Sequence, residues 1–297
     1  GNKKPLATHT TEHIMNNVEL KRKYGKQKHF NTNVFIPMNN PVKYDKRCNV
    51  IPPYTLGALI GDGTMGESKG TIGFSNTEGD IVLRVNEELN DIGYYLNHSK
   101  KGDYTVNIND KLLTNASFIK MLTGVGLYGA LSDTKHIPES YLYSDVSDRY
   151  ELLAGLIDTD GYCAGSSYDY YTTSKDLCED VCFLAESLGC TTHVGLKIKP
   201  KYTYNNEVRE GKDCYVIRIK ASSHMQKLHK SEKHESKWKK GQSSARRSME
   251  RITQTGKYGE MTCIQVDSPD HLFMTEHFIA THNTAVTTAR IANLIAN

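Results

Sequence analysis

No stretch of this chain stays apolar for the roughly 18–20 residues that a membrane-spanning helix requires. The residues after Gly1 also lack the layout of a secretory signal. A membrane or exported protein is therefore not expected. Cysteine is poorly placed for stapling a fold: there are seven, an odd number, scattered from Cys48 to Cys263. That is no disulfide framework, and it points to a reduced, cytoplasmic setting. Cys178 and Cys182 stand four apart, but no second Cys/His pair at zinc-like spacing joins them. Excess charge of one sign is missing too, with a net of +3 over 297 residues. With 38% hydrophobic residues, the composition is that of an ordinary globular protein long enough for two modest domains.

What is present is unevenly distributed. Between Lys197 and Arg251 there are 16 Lys/Arg against 6 Asp/Glu. Such a stretch attracts polyphosphate and supplies sequence-independent affinity by counterion release, although a solvated basic linker would look the same. Residues 1–49 are polar and rich in Asn and Lys, with short β-like runs such as Val34-Phe35-Ile36. From Ile51 to about Leu228 helix and strand patterns alternate. The basic, Ser-rich Lys230–Arg247 reads as a linker, and short β runs return over Met261–Asn283. Thr284–Asn297 changes again, to an Ala/Ile/Leu helix pattern.

The most informative feature is an internal repeat. Tyr54-Thr55-Leu56-Gly57-Ala58-Leu59-Ile60-Gly61-Asp62-Gly63 matches Leu152-Leu153-Ala154-Gly155-Leu156-Ile157-Asp158-Thr159-Asp160-Gly161. After each comes a strand-like segment and then an amphipathic helix ending in glycine. In the first, Ile81, Val85, Leu89 and Ile92 recur at helical spacing; in the second, Leu177, Val181, Leu184 and Leu188 do. Two similar halves about 98 residues apart suggest a pseudo-twofold arrangement. Small residues at Gly57, Ala58, Gly61, Ala154 and Gly155 leave one face of each repeated helix nearly bare, so the two can approach backbone to backbone. Leu59, Ile60, Leu156 and Ile157 can anchor the other faces. Gly63 and Gly161 suit a left-handed helix-closing position.

This arrangement puts Asp62 and Asp160 at adjacent helix C-termini, where a carboxylate is electrostatically unwelcome. A hard divalent cation is the natural partner. Two carboxylates near a pseudo-dyad, with Mg²⁺ bridging to phosphate, are the parts of a phosphodiester hydrolase. The repeat closely resembles the LAGLIDADG homing endonucleases, and Leu153–Gly161 departs from the family's motif only at Thr159. The resemblance covers roughly residues 51–235. It implies an α+β fold of two αββαββα-type halves forming a saddle over double-stranded DNA, with Asp62 and Asp160 as metal ligands and one cut in each strand. Lys135-His136-Ile137-Pro138 resembles the family's Lys-x-Ile-Pro element, which makes Lys135 a candidate for polarising water or phosphate. The second half has no clear counterpart; Lys230 and Lys233 are the choices.

A different chemistry is written near the end. Asn283 can attack its own carbonyl and break the chain before Thr284, provided imidazoles activate the groups concerned, and His282 and His271 are at hand. Thr284 supplies a hydroxyl nucleophile for the preceding step. Asp270-His271-Leu272-Phe273 followed by Phe278-Ile279-Ala280-Thr281-His282-Asn283-Thr284 is similar, in order and spacing, to the C-terminal splicing blocks of inteins. Thr10-Thr11-Glu12-His13 resembles the intein Thr-x-x-His block, in which Thr10 and His13 would act on the upstream junction; His9 competes for that role. The resemblance implies that residues 1–49 and about 236–283, basic linker included, belong to a β-rich Hint splicing domain. The endonuclease, 50–235, would be inserted in it as a loop, at little cost in closure entropy. Splicing would need no cofactor.

Inteins of this kind open with Cys or Ser well before the Thr-x-x-His element, whereas Gly1 stands only nine residues before Thr10. Either the sequence is truncated, or a separate short N-terminal fragment completes a split intein. Residues 284–297 then belong to the host. A Gly-Lys supplied upstream and joined to Thr284 would recreate the phosphate-binding Gly-Lys-Thr of a P-loop NTPase. Two alternatives stay open: a maturase-like module that binds DNA or RNA without cutting, and a Hint domain that only cleaves itself.

Overall fold

The structure is a computed structural model and describes residues 22–24, 27–29, 35–36, 38–66, 70–110, 112–204, 207–221, 227–239, 247–248, 266–267, 269 and 271–282. The chain divides into two compact units, one made of Gly1–Asn39 with Arg246–Asn297 and the other of Asn40–Ala245. No helix among the described residues is long and apolar enough to cross a membrane.

In the first unit, β1 (Arg22–Tyr24) pairs with β2 (Gln27–His29), and β3 (Phe35–Ile36) pairs with a later strand, Arg247–Ser248. That second pairing joins the segments on either side of the larger unit. A hairpin of Leu272–Met274 and Ala280–His282 completes what is described there. The β runs expected over 262–265 lie outside the described residues.

The Asn40–Ala245 unit carries the repeat. Its first half runs α1 (Pro53–Asp62), β4 (Gly63–Thr64), β5 (Gly73–Ser75), α2 (Gly79–Asn90), β6 (Tyr94–Lys100), β7 (Asp103–Ile108) and α3 (Asn115–Gly124). After a short α4 (Glu139–Leu142), the second half runs α5 (Val146–Asp160), β8 (Gly161–Ala164), β9 (Ser167–Thr172), α6 (Lys175–Ser187), β10 (Thr191–Lys197) and β13 (Cys214–Lys220). A hairpin of β11 (Lys201–Tyr204) and β12 (Glu207–Glu210) is interposed between the last two. Each half builds a four-stranded antiparallel sheet. The orders β4-β5-β7-β6 and β8-β9-β13-β10 are the same path drawn twice. This is the expected α+β architecture, with the two halves of the repeat folded alike.

Local sequence sets the ends of these helices. Proline at the first position starts α1, where its missing N–H has no partner to lose. The Asp145 carboxylate accepts from Asp148 N at 2.9 Å and caps α5, while Ser174 Oγ accepts from Leu177 N at 3.1 Å and caps α6. The amphipathic α2 buries Ile81, Val85 and Leu89; α6 buries Leu177, Val181 and Leu184, as their spacing predicts.

The core forms where α1 meets α5. A Cβ on Gly57 would lie 2.3 Å from Leu152 O, and one on Gly155 would lie 2.2 Å from Tyr54 O. A Cβ on Gly61 would overlap Thr159 Oγ1 at 2.0 Å. The two helices thus touch through their backbones, while Leu56, Leu59, Ile60, Leu153, Leu156 and Ile157 are fully buried around them.

One expectation is corrected at the helix ends. Gly63 (φ −83°) and Gly161 (φ −93°) are extended, not left-handed. Glycine is required for space: a Cβ would meet Leu59 O at 2.2 Å and Ile157 O at 2.4 Å.

The seam between the units also lies before the change in composition near residue 50. Val42 N donates to Ser187 O at 2.8 Å, and Asn49 Nδ2 donates to Asp148 Oδ2 at 3.0 Å. The fully buried Arg149 donates to Val42 O, to Ser144 O at 2.9 Å and to Ser187 Oγ at 2.5 Å. The basic segment read as a linker is, over 227–239, part of the folded unit, with His229, Ser231 and His234 buried.

Gly57→Ala should destabilise this unit by about 1–3 kcal/mol or more, since the added methyl meets backbone that cannot step aside. Gly66→Ala, which meets nothing within 4 Å, is the matched control. Urea unfolding of both variants checks this; equal stability would contradict backbone contact between the helices.

Candidate metal centre at the paired helix ends

Helix α1 ends at Asp62 and passes through Gly63 into β4; α5 ends at Asp160 and passes through Gly161 into β8. The last carbonyls of a helix carry partial negative charge, so two carboxylates there compound the problem. Two lysines answer it. Lys135, only 8% exposed, donates from Nζ to Ile60 O at 2.6 Å and to Gly61 O and Gly63 O at 3.0 Å each. Lys233 Nζ donates to Thr159 O at 3.2 Å, and His234 Nε2 lies 3.1 Å from Ile157 O. Each helix end therefore has its own cation. Of the two lysines open for the second half, Lys233 occupies the place; Lys230 turns to Glu151 at 2.8 Å and to the Tyr150 ring at 4.8 Å.

The carboxylates influence one another. Burial is the main cause that raises the Asp160 pKa to about 6, and the negative charge of Asp62 adds to it against Lys135 and Lys233. Burial also raises Asp62, opposed by the hydrogen bond from Asn76 Nδ2 at 2.7 Å and by Lys233 and Lys135. Burial lowers the Lys135 ammonium, while Asp160 and Asp62 hold it up. Asp62 is nonetheless half-buried and Asp160 keeps an exposed side, so both can be reached from solvent. A cleft of about 330 Å³, lined by Asp62, Asn76, Lys101 and Lys233 among others, opens beside Asp62.

Two hard oxygen donors held together suit a divalent cation. Asp160 accepts no hydrogen bond among the described residues, which leaves its lone pairs for such an ion; Asp62 accepts one, which fixes its orientation. Asp62 and Asp160 would hold the ion, and Lys135 and Lys233 would balance the charge of an incoming phosphate.

Asn76 and Asp158 belong to the site although the sequence reading does not single them out. Asn76 has no repeat signal, because the corresponding position of the second sheet is Thr172. Asp158, fully buried, accepts from Tyr54 Oη at 2.9 Å and from Lys230 N and Ser231 N at 3.0 Å each. It thereby pins the segment that carries Lys233. The first half has Ile60 at this position, and its lysine binds the helix end directly.

The second group of expected residues falls on the smaller unit. Leu272 is the register partner of His282, so His271, next to Leu272, and His282 share one end of the hairpin. His271 adopts a positive φ of 53°. Thr10, His13, Asn283 and Thr284 lie outside the described residues.

Residues 136–243 match the family model described as homing endonuclease. Over 242 residues the chain is 27% identical to a replicative DNA helicase DnaB of Mycobacterium intracellulare, covering 80% of this chain and 36% of that protein. The chain thus spans about a third of the length of that relative. Among solved structures, mesophilic variants of the homing endonuclease I-DmoI align at 16% identity and TM-score 0.35, covering 58% of this chain and 88% of theirs. I-DmoI in complex with DNA and Ca aligns at 16% identity and TM-score 0.37, covering 63% and 97%.

A carboxyl whose pKa rises on folding, here from 3.8 to about 6, weakens the fold once ionised. The penalty is absent below about pH 3.8 and complete above about pH 6. Asp160→Asn should therefore raise the melting temperature in EDTA at pH 7.5, by about 2–4 °C after allowing for the exposed side. It should also remove the further rise that Mg²⁺ gives the parent chain. A variant that melts lower at pH 7.5, or that gains as much from Mg²⁺, would contradict this site.

Proposed function

We propose, for a chain whose residues 136–243 match a homing-endonuclease family model, that the Asn40–Ala245 unit cuts double-stranded DNA at the uninterrupted host site. We propose further that the flanking segments belong to a Hint splicing domain that severs its own chain after Asn283. The observation that carries the first part is the meeting of Asp62 and Asp160 at two backbone-packed helix ends, each end with its own lysine.

In this reading Asp62 and Asp160 bind Mg²⁺, which supplies an activated water and stabilises the leaving oxygen when bound. The protein's own contribution is positional. Asn76 fixes the Asp62 carboxylate. Lys135 spends its three donors on carbonyls, so its role is charge and support for the end of α1, not abstraction of a proton. Lys233 makes one such bond and has donors left for a phosphate oxygen.

The splicing part rests on the order of residues from His271 to Thr284 and on the hairpin that sets His271 and His282 at one end. The Asn283 amide nitrogen would attack its own carbonyl carbon and form a succinimide. The bond to Thr284 breaks, and a histidine supplies the proton to the departing nitrogen. Thr10 and His13 would serve the upstream junction, and the Thr284 hydroxyl would receive the upstream chain.

A DNA helicase has no use for a LAGLIDADG repeat of its own, so a long match to one supports insertion within a helicase host. That fits a P-loop interrupted before Thr284.

Incubation with Mg²⁺ and a plasmid carrying the uninterrupted host sequence should give linear DNA. Asp160→Asn should abolish this or stop it at a nick, and Asn76→Ala should slow it about 10–100-fold. Uncut plasmid, with Asp62→Ala binding DNA as the parent does, would favour a binding-only module. Asn283→Ala should stop release of the tail and leave DNA cutting intact, as read by gel on one preparation; loss of both would contradict separate sites. His271→Ala should slow tail release by roughly 10²–10⁴-fold, and an unchanged rate would remove it from the mechanism.

A further inference from the structure

The two sheets of the Asn40–Ala245 unit share a strand order but not a charge. Alternation along each strand separates a core face from an outer one. In the second sheet Tyr168, Tyr170, Ile217 and Ile219 are buried, so Tyr171, Arg218 and Lys220 occupy the outer face, with Asp169 on the same side but buried beside Arg218. Register adds His193 beside Arg218, and Lys197 two places along β10 from the Val216 partner Gly195. Three cations of this half are held in place. Arg218 meets Asp169 through two bonds of 2.8 and 3.0 Å, Lys197 Nζ lies 4.8 Å from the centre of the Tyr171 ring, and Lys237 Nζ lies 4.4 Å from that of Tyr162. Residues 191–220 carry seven Lys/Arg against three Asp/Glu.

The first sheet buries Tyr94 and Val106, which leaves Tyr95, Asn97, Thr105 and Asn107 on its outer face. These are neutral hydrogen-bonding groups. Residues 94–108 hold two lysines, Lys100 and Lys101, both at the turn, and Lys100 pairs with Asp103 at 3.3 Å.

We propose that the sheets divide recognition of the duplex. The second anchors any DNA through its phosphates, and the first reads its half of the target through neutral side chains. Phosphate neutralisation supplies affinity without sequence, whereas amides such as those of Asn97 and Asn107 can pair with an adenine edge. Cations already held by a ring or a carboxylate lose less freedom on meeting a phosphate. This division rests on the DNA-cutting reading above and adds which half grips first.

The test is binding of the full chain to a random-sequence duplex of about 40 base pairs across a salt series. Lys197→Gln with Lys220→Gln should lower the slope of log affinity against log salt by about 2, near 0.9 for each phosphate that is no longer neutralised. Lys100→Gln, which removes a turn lysine already paired with Asp103, should change it by less than about 0.5. Asn97→Ala with Asn107→Ala should leave random-duplex binding unchanged and weaken binding to the uninterrupted host site about tenfold or more. A slope change from Lys100→Gln half as large as that from the Lys197 and Lys220 changes, or host-site affinity untouched by the asparagine changes, would overturn the division while leaving DNA binding in place. A parent chain that binds no duplex at low salt would remove the DNA reading and this inference together.

Discussion

Everything in the larger unit depends on how closely two helices touch. Gly57 and Gly155 each face a carbonyl of the opposite helix at a distance no Cβ could occupy, and Gly61 faces Thr159 in the same way. Backbone contact of this kind fixes the helices in rotation and along their axes, because a shift in either direction brings larger side chains into the seam. The two C-termini are therefore brought together, and with them Asp62 and Asp160. Their raised proton affinities are the electrostatic consequence of that packing. Stability is given up at one point, where under the proposed function a cation and a phosphate would be held.

The compensation is built differently in the two halves. In the first, a buried lysine caps the helix with its own ammonium group. In the second, the buried Asp158 grips the backbone of residues 230–231, so that Lys233, two residues on, reaches the helix end. Similar folds carry dissimilar supports, and the outer faces of the sheets differ in charge as well. A pseudo-symmetric frame thus carries unlike surfaces on its two halves.

Much of this is legible in the residues. The duplicated Gly-x-x-x-Gly-Asp-Gly and Gly-x-x-x-Thr-Asp-Gly strings locate the helices, their bare faces and the acidic ends, since small residues at fixed spacing have few other uses. Lys135 is legible because Lys-His-Ile-Pro follows a recognisable pattern. The reason for Gly63 and Gly161 is not: a string cannot tell a glycine chosen for φ from one chosen for space, and here space decides. Residues 227–239 look solvated because they are basic and polar. Their burial depends on a partner, Asp158, about 70 residues away in sequence. Asn76 is hidden for a similar reason, as one polar residue in a loop shows nothing until the fold brings it to Asp62.

Under the proposed function, Asp62 and Asp160 hold one cation centre against one nucleic-acid backbone. Crystals of the chain with a duplex carrying the uninterrupted host site, grown with Mn²⁺ in place of Mg²⁺, would test it by anomalous scattering. A Mn²⁺ peak is expected at coordination distance, about 2.0–2.6 Å, from oxygens of both carboxylates and from a DNA phosphate. A cation bound elsewhere, or one that touches neither aspartate in the presence of DNA, would contradict it.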